Sequence, residues 1–165
     1  MEKIRFCTEA DFGAILGLLG ELWPERQFDV AALHAVYSRA LALETQFYLC
    51  AEEEGEVAGF CSLTLKNNLW QAGYLAHIDE LVVTEQRRRK GLGRALLAAA
   101  IALAAEKACA RIELDSGFHR QDAHRFYMSQ GFENRAYLFS KPLRQPSPSG
   151  PPSAGHERIE QETSA

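Results

Sequence analysis

The chain has 165 residues, a formal net charge of -4, an apolar fraction of 47% and an aromatic fraction of 10%, enough apolar content for one packed domain and against global disorder. The acidic balance, with a pI near 5.8, argues against the broadly basic face of a nucleic-acid binder. The charged start MEKIRFCTEADFG has no leader-like apolar core, and even Ala95 to Ala105 is too short for a membrane span, so a soluble cytoplasmic protein with no membrane partner is expected.

Ile4 and Phe6 alternate with Lys3, Arg5 and Cys7 as in a short strand. Thr8, with Asp11 three residues on, marks a helix start. Phe12, Ile15, Leu16, Leu18, Leu19 and Leu22 then carry a helical period as far as Trp23-Pro24. A second helix is predicted from about Asp29 to Leu43, with Val30, Leu33, Val36, Tyr37, Ala40 and Leu41 on one broad apolar face. Trp23 and Trp70 read as packing residues, with Trp23 also placed to wall a pocket.

Beyond these helices the pattern changes to strands. FYLCAEE from Phe47, the turn Glu54-Gly55 and EVAGFCSLTLK read as a hairpin. Asn67-Asn68 breaks the run, and GYLAHIDELVV from Gly73 to Val83 is a third strand. A helix follows from about Gly91 to Lys107, then the strand ARIELDSG and the helix RQDAHRFYMSQ, with Gly131 at its C-terminal cap. AYLFSKPL closes the fold as a final strand. This order predicts an α/β (α+β) domain over residues 1–143. Residues 144–165, rich in Pro, Ser and Gly, read as a disordered tail. The widely spaced Cys7, Cys50, Cys61 and Cys109 form no CxxC pair and read as reduced, mostly buried thiols.

The segment VVTEQRRRKGLGRALLAAA concentrates Arg87, Arg88, Arg89 and Lys90 at a helix entrance. A helix N-terminus offers unpaired N–H groups and a partial positive charge. Glycines at 91 and 93 let a phosphate approach the main chain, and Arg94 adds a further cation. A polyphosphate ligand is implied, whereas a solvated or localisation-type charge run leaves Gly-Leu-Gly unexplained. The P-loop pattern is absent, and the dinucleotide fingerprint fails because Leu96 stands where its last glycine would be.

Arg88-Arg89-Lys90-Gly91-Leu92-Gly93 fits [RQ]xxGx[GA] after a strand, HIDELVV precedes it, and RFYMSQGF follows in a late helix. From Ile4 to Leu143 these segments resemble the GCN5-related N-acetyltransferase (GNAT) superfamily. That resemblance implies a mostly antiparallel mixed sheet flanked by helices, with acetyl-coenzyme A (acetyl-CoA) as co-substrate; no metal is expected, because His119 and His124 are five apart, an awkward separation on one helix face, and no third ligand declares itself. The main-chain N–H groups of Arg88, Arg89, Lys90, Gly91, Leu92, Gly93 and Arg94 would hold the pyrophosphate, and Leu81, Val82 and Val83 would pair with the pantetheine arm. It further implies Glu80 as base, Asp79 as reserve base or ammonium binder, the N–H of Val82 as oxyanion donor, and Tyr127 as acid. Strand alternation places Ile78, Glu80 and Val82 on one face and Asp79 and Leu81 on the other, a phase that a bulge would change.

Arg120 stands where many members carry a coenzyme-contacting asparagine, and implies a contact to phosphate or to an anionic substrate. His77, His119 and His124 read as surface or interface residues, or as part of a polar cleft. A narrower likeness runs to bacterial aminoalkylphosphonate N-acetyltransferases. The expected function is direct acetyl transfer in a ternary complex to a small primary amine, in a homodimer. Protein or peptide acetylation and a non-catalytic coenzyme A sensor are the alternatives.

Overall fold

The computed structural model describes residues 2–143; the expected tail lies outside the described residues. Strand β1 (Glu2–Phe6) leads through a single short turn of helix into α1 (Phe12–Leu22). Asp11 fixes that entrance: its carboxylate accepts from the Thr8 N–H at 2.7 Å and from both terminal nitrogens of Arg5 at 2.8 Å. Helix α2 (Val30–Leu41) starts where the Asp29 side chain accepts from the Ala32 N–H. Of its expected apolar face, Tyr37 and Ala40 are buried, whereas Val30 and Val36 are exposed, so the buried stripe is narrower than predicted.

Strands β2 (Gln46–Glu53) and β3 (Glu56–Asn68) meet at Glu54 and Gly55, whose φ values of 57° and 85° make a tight two-residue hairpin turn. β3 runs through Asn67-Asn68, which the sequence reading took as a break, because both pair with the start of β4 (Gly73–Val83). Helix α3 (Leu92–Glu106), strand β5 (Arg111–Leu114) and helix α4 (Gln121–Ser129) complete the order. The sheet runs β1-β2-β3-β4-β5, antiparallel except for the parallel pair β4–β5.

The expected closing strand is absent: residues 136–143 form no strand, and Tyr137, Leu138, Phe139 and Leu143 are exposed. Their strand-like pattern pairs with no strand among the described residues.

The two sheet faces carry separate cores. Leu63, Leu65, Ala76 and Ile78 pack against Leu92, Leu96, Leu97 and Ala100 of α3. Cys50, Phe60 and Val82 pack against Ile15, Leu18 and Leu19 of α1 and Tyr37 of α2. The four cysteines are free thiols, three of them buried. Among the described residues no helix is long and apolar enough to cross a membrane.

Candidate active site

Between β3 and β4 the register steps from Ser62↔Glu80 to Leu63↔Ile78, leaving Asp79 as the extra residue of a β-bulge. Ser62 and Thr64 lie two apart on β3 and so share a face. The Ser62 hydroxyl bonds the Glu80 carboxylate, and Thr64 Oγ1 donates to Asp79 Oδ2 at 2.5 Å. Asp79 and Glu80 therefore stand side by side on the α1–α2 face with Val82. Simple alternation separates them; the bulge overrides it, and Ile78 turns to the α3 core instead.

β4 pairs with β5 only as far as Ile78↔Leu114. From Asp79 onward its β5-side edge is unpaired by any strand, and the two strands part around a cleft of about 1270 Å³. Its walls are the segment 22–29 after α1, residues Ile78–Leu81, residues 114–117 after β5, and His119, Arg120, Ala123 and Tyr127.

Glu80 is half-buried, and desolvation pushes its pKa above the ordinary carboxylate range against the opposing Ser62 hydrogen bond. The Glu80 N–H donates to Ser62 Oγ at 2.9 Å, so one hydroxyl fixes both ends of the residue. Asp79 shifts the other way: despite its desolvation, hydrogen bonds from His77 and Thr64 hold it below the usual range. His77 is 8% exposed, a correction to its reading as a surface or interface residue. Its Nδ1 lies 2.9 Å from Asp79 Oδ1 and its Nε2 3.1 Å from Asp115 Oδ2. The Asp79 bond, against desolvation, raises its pKa. A carboxylate oxygen thus faces each ring nitrogen, an arrangement that favours the protonated ring.

Tyr127 is half-buried beside Phe126 and Phe132, at centroid distances of 5.4 and 5.9 Å. Burial raises its pKa, so the phenol keeps its proton at neutral pH. Arg120 stands at the N-terminus of α4 and donates to the Leu22 carbonyl at 2.9 Å. It lies in the cleft wall, which contains none of residues 82–94.

The glycine loop divides its cations. Arg87 bonds Glu53 at 2.7 Å and Glu54 at 3.0 Å, tying the loop to the β2–β3 turn. Arg88 donates from Nε to the Val83 carbonyl at 3.0 Å and pairs with Glu85, while its own N–H bonds the Glu85 carbonyl. The Arg88 side chain and its N–H thus both have partners within the protein. Arg89, Lys90 and Arg94 are exposed and form no ion pair among the described residues.

Gly91 caps α3 with φ at 96° and no side-chain hydrogen bond, so the N–H groups of Leu92, Gly93 and Arg94 keep the orphan status of a first helical turn. Arg89 (φ 63°) also takes the left-handed conformation, and the chain curls around this point. This concave set of donors fits a diphosphate. The Leu92 side chain is in the α3 core and Val82 in the α1–α2 core, so only their main chains can meet a ligand.

The roles of Ser62 and Gly59 and the partners of His77 escaped the sequence reading. Ser62 is one polar residue in GFCSLTL, and His77 pairs with an aspartate 38 positions away. Gly59 faces α3, where a Cβ would sit 2.9 Å from Leu96 Cδ1 and 3.2 Å from the Val82 carbonyl oxygen. The signal for Ser62 was present, a hydroxyl alternating into a buried run; the other two depend on tertiary neighbours.

The model of the acetyltransferase (GNAT) family matches residues 12–132. The aminoalkylphosphonate N-acetyltransferase of Salmonella typhimurium is 31% identical, over 86% of this chain and 91% of that one. The aminoglycoside N(6')-acetyltransferase type 1 of Stenotrophomonas maltophilia is 32% identical, over 85% and 93%. Among solved structures, AAC(6')-Iy in complex with a CoA-containing bisubstrate analogue superposes with a TM-score of 0.76 at 20% identity, covering 88% of this chain and 99% of that one, a likeness of fold.

Proposed function

This chain belongs to the acetyltransferase (GNAT) family, and from that premise we propose that it moves acetyl from acetyl-CoA to the primary amine of a small zwitterionic molecule of the aminoalkylphosphonate type. Acetyl-CoA-dependent N-acetyl transfer is the family's chemistry; the acceptor and the residue roles are our reading. The observation that carries it is the shared cleft of Glu80 and Tyr127, a carboxylate made more basic and a phenol kept protonated.

An amine with a pKa near 10 is mostly protonated at neutral pH and must lose a proton to attack. Glu80 takes that proton, directly or through water. The amine nitrogen bonds to the acetyl carbon, and a main-chain N–H on the free edge of β4 stabilises the resulting oxyanion; the Val82 N–H, expected in that role, lies in the ladder with β3, in phase with the Thr84 N–H that bonds the Ala58 carbonyl. The carbon–sulfur bond then breaks, and Tyr127 protonates the departing thiolate. No cysteine lines the cleft, and Cys61 on the neighbouring strand is fully buried with its pKa pushed up to about 12 by desolvation.

On the coenzyme side, the unpaired edge of Leu81–Val83 receives the pantetheine arm. The N–H groups of the loop from Arg89 to Arg94 receive the diphosphate, with Arg89, Lys90 and Arg94 as counter-charges. Arg88 fixes the loop through Val83. In the acceptor half, Asp79 and Asp115 suit an ammonium, whereas Arg26, His119 and Arg120 of the same cleft lining suit an anion. That division supports a zwitterionic acceptor and turns Arg120 toward substrate rather than coenzyme.

The excess of carboxylates, with Glu25 and Asp29 also in the wall, favours a second reading in which the acceptor is a polycationic aminoglycoside. Thiol release from acetyl-CoA with separate pools of aminoalkylphosphonates, aminoglycosides, polyamines, amino acids and peptides tests both. Release with the phosphonate pool is expected. Release with aminoglycosides alone establishes the second reading, and silence from protein that binds the coenzyme favours a sensor.

A further inference from the structure

Ser62 is the one hydroxyl in the buried run Ala58–Leu63, and it is 1% exposed. A serine buried that deeply has to find its hydrogen-bond partners within the fold. It finds both on one residue. Its Oγ accepts from the Glu80 N–H at 2.9 Å, and its proton goes to the Glu80 carboxylate. No other side chain bonds it among the described residues.

The pair follows from the register. Ser62 stands opposite Glu80 in the last step before the bulge, after which Leu63 pairs with Ile78. The next residue on the same face of β3 is Thr64, which bonds Asp79. Two hydroxyls two positions apart thus meet two carboxylates adjacent in sequence, an arrangement that needs the bulge. The carboxylates are not held equally. Asp79 has His77 as well as Thr64. Glu80 forms no ion pair, and Ser62 is its one side-chain partner among the described residues.

A hydroxyl bonded to both the main chain and the far end of one side chain closes a ring. The rotamer freedom of a long glutamate side chain is then surrendered on folding, before any acceptor arrives. The contact also serves both charge states. The hydroxyl donates to the carboxylate, and to the carbonyl oxygen that remains once the group has taken a proton. Since a donor favours the ionised form, Ser62 opposes the desolvation that raises the pKa of Glu80.

With Glu80 as the base of the proposed function, we propose that Ser62 is a positioning residue of the acetyl transfer, holding the Glu80 carboxylate in the one orientation from which it receives the proton of the amine.

The test is the pH dependence of kcat/KM and kcat in Ser62→Ala, Ser62→Cys and Ser62→Thr, with acetyl-CoA binding by calorimetry to count folded protein. In Ser62→Ala the acid limb should move to higher pH, and kcat/KM within the limb should fall by roughly tenfold, as loss of a hydrogen bond to a charged group implies. On the alkaline plateau, where only orientation is at stake, kcat should stay about threefold or more below the parent. Affinity for acetyl-CoA should hold within about twofold, because Ser62 acts only through Glu80. Ser62→Cys keeps the size with a weak donor and should follow the alanine variant, even where the latter folds poorly. Ser62→Thr keeps a hydroxyl and should bring the limb back toward the parent position. Glu80→Gln separates the two levels. If it retains the parent acid limb, Glu80 is not the base and the role of Ser62 falls with it. If it loses the limb while Ser62→Ala and Ser62→Cys leave theirs in place, Glu80 stands as base and Ser62 is a packing residue only. A loss of kcat equal at every pH, which Ser62→Thr does not relieve, overturns the role equally.

Discussion

Asp79 Oδ1 and His77 Nδ1 lie 2.9 Å apart across the β4 bulge, with the second ring nitrogen of His77 at 3.1 Å from Asp115. This bond separates two adjacent carboxylates chemically. Asp79, held by His77 and Thr64, stays ionised, while Glu80 is left to desolvation and to the negative charge of Asp79, both of which raise its pKa. On the proposed mechanism the histidine is a positioning residue, keeping one carboxylate a fixed anion and leaving the other to act as base.

Replacing His77 with Asn removes that counter-charge. The acid limb of the kcat/KM profile should move to higher pH, since Glu80 then faces Asp79 uncompensated. His77 titrates above its ordinary 6.5, so its contribution to stability is complete below that pH and is lost as pH rises through the raised value. Loss of a buried charged hydrogen bond costs about 1–3 kcal/mol. The Tm deficit of the variant should be larger at pH 6 than at pH 9, and an equal deficit at both would remove the imidazolium from the account.

Glu80→Gln should lower kcat by about 10²- to 10⁴-fold near neutral pH and abolish the acid limb, with partial recovery at alkaline pH as the amine deprotonates unaided. Coenzyme affinity by calorimetry should be unchanged. Because the folded-state pKa of Glu80 is raised, ionising it opposes folding as pH climbs from its ordinary 4.5 through the raised value. The variant should therefore be no less stable than the parent at pH 7. Unaltered turnover would remove Glu80 as base.

In Tyr127→Phe the ring stack with Phe126 and Phe132 persists and only the hydroxyl goes. Turnover should fall by roughly 10- to 100-fold, with KM for acetyl-CoA and thermal stability nearly unchanged. A parallel rise in KM would mean that the phenol binds rather than protonates.

The loop cations should divide by function. Lys90→Gln and Arg94→Gln should each raise KM for acetyl-CoA by roughly 3- to 10-fold, and less so in high salt, because exposed charges are screened. Arg87→Gln should leave KM within about twofold, because its guanidinium is engaged with Glu53 and Glu54. Steady-state kinetics at two ionic strengths separates the two classes.

Gly59→Ala should destabilise the fold by about 1–3 kcal/mol, since its Cβ meets both Leu96 and the Val82 main chain. Gly93→Ala, whose Cβ finds only ordinary contacts at 3.7 Å and beyond, should be far milder. Parallel thermal melts compare them.

The sequence by itself determined what depends on neighbours a few residues apart. Helical spacing located α1, α3 and α4, the Thr8–Asp11 pair marked the entrance to α1, and Gly91 after four cations marked the start of α3. Two-residue alternation located the strands, and the aligned segments of one chain carried the resemblance from which Glu80 and Tyr127 were chosen. Only the tertiary structure decided which face each carboxylate takes, because one extra residue in β4, set by the pairing with β3, inverts the alternation at Asp79. It likewise decided that Arg87 is tied to the hairpin turn, that His77 is buried between two aspartates, and that AYLFSKPL lies unpaired despite its strand pattern. These outcomes rest on contacts between residues far apart in the chain, whereas periodicity and capping record only local geometry.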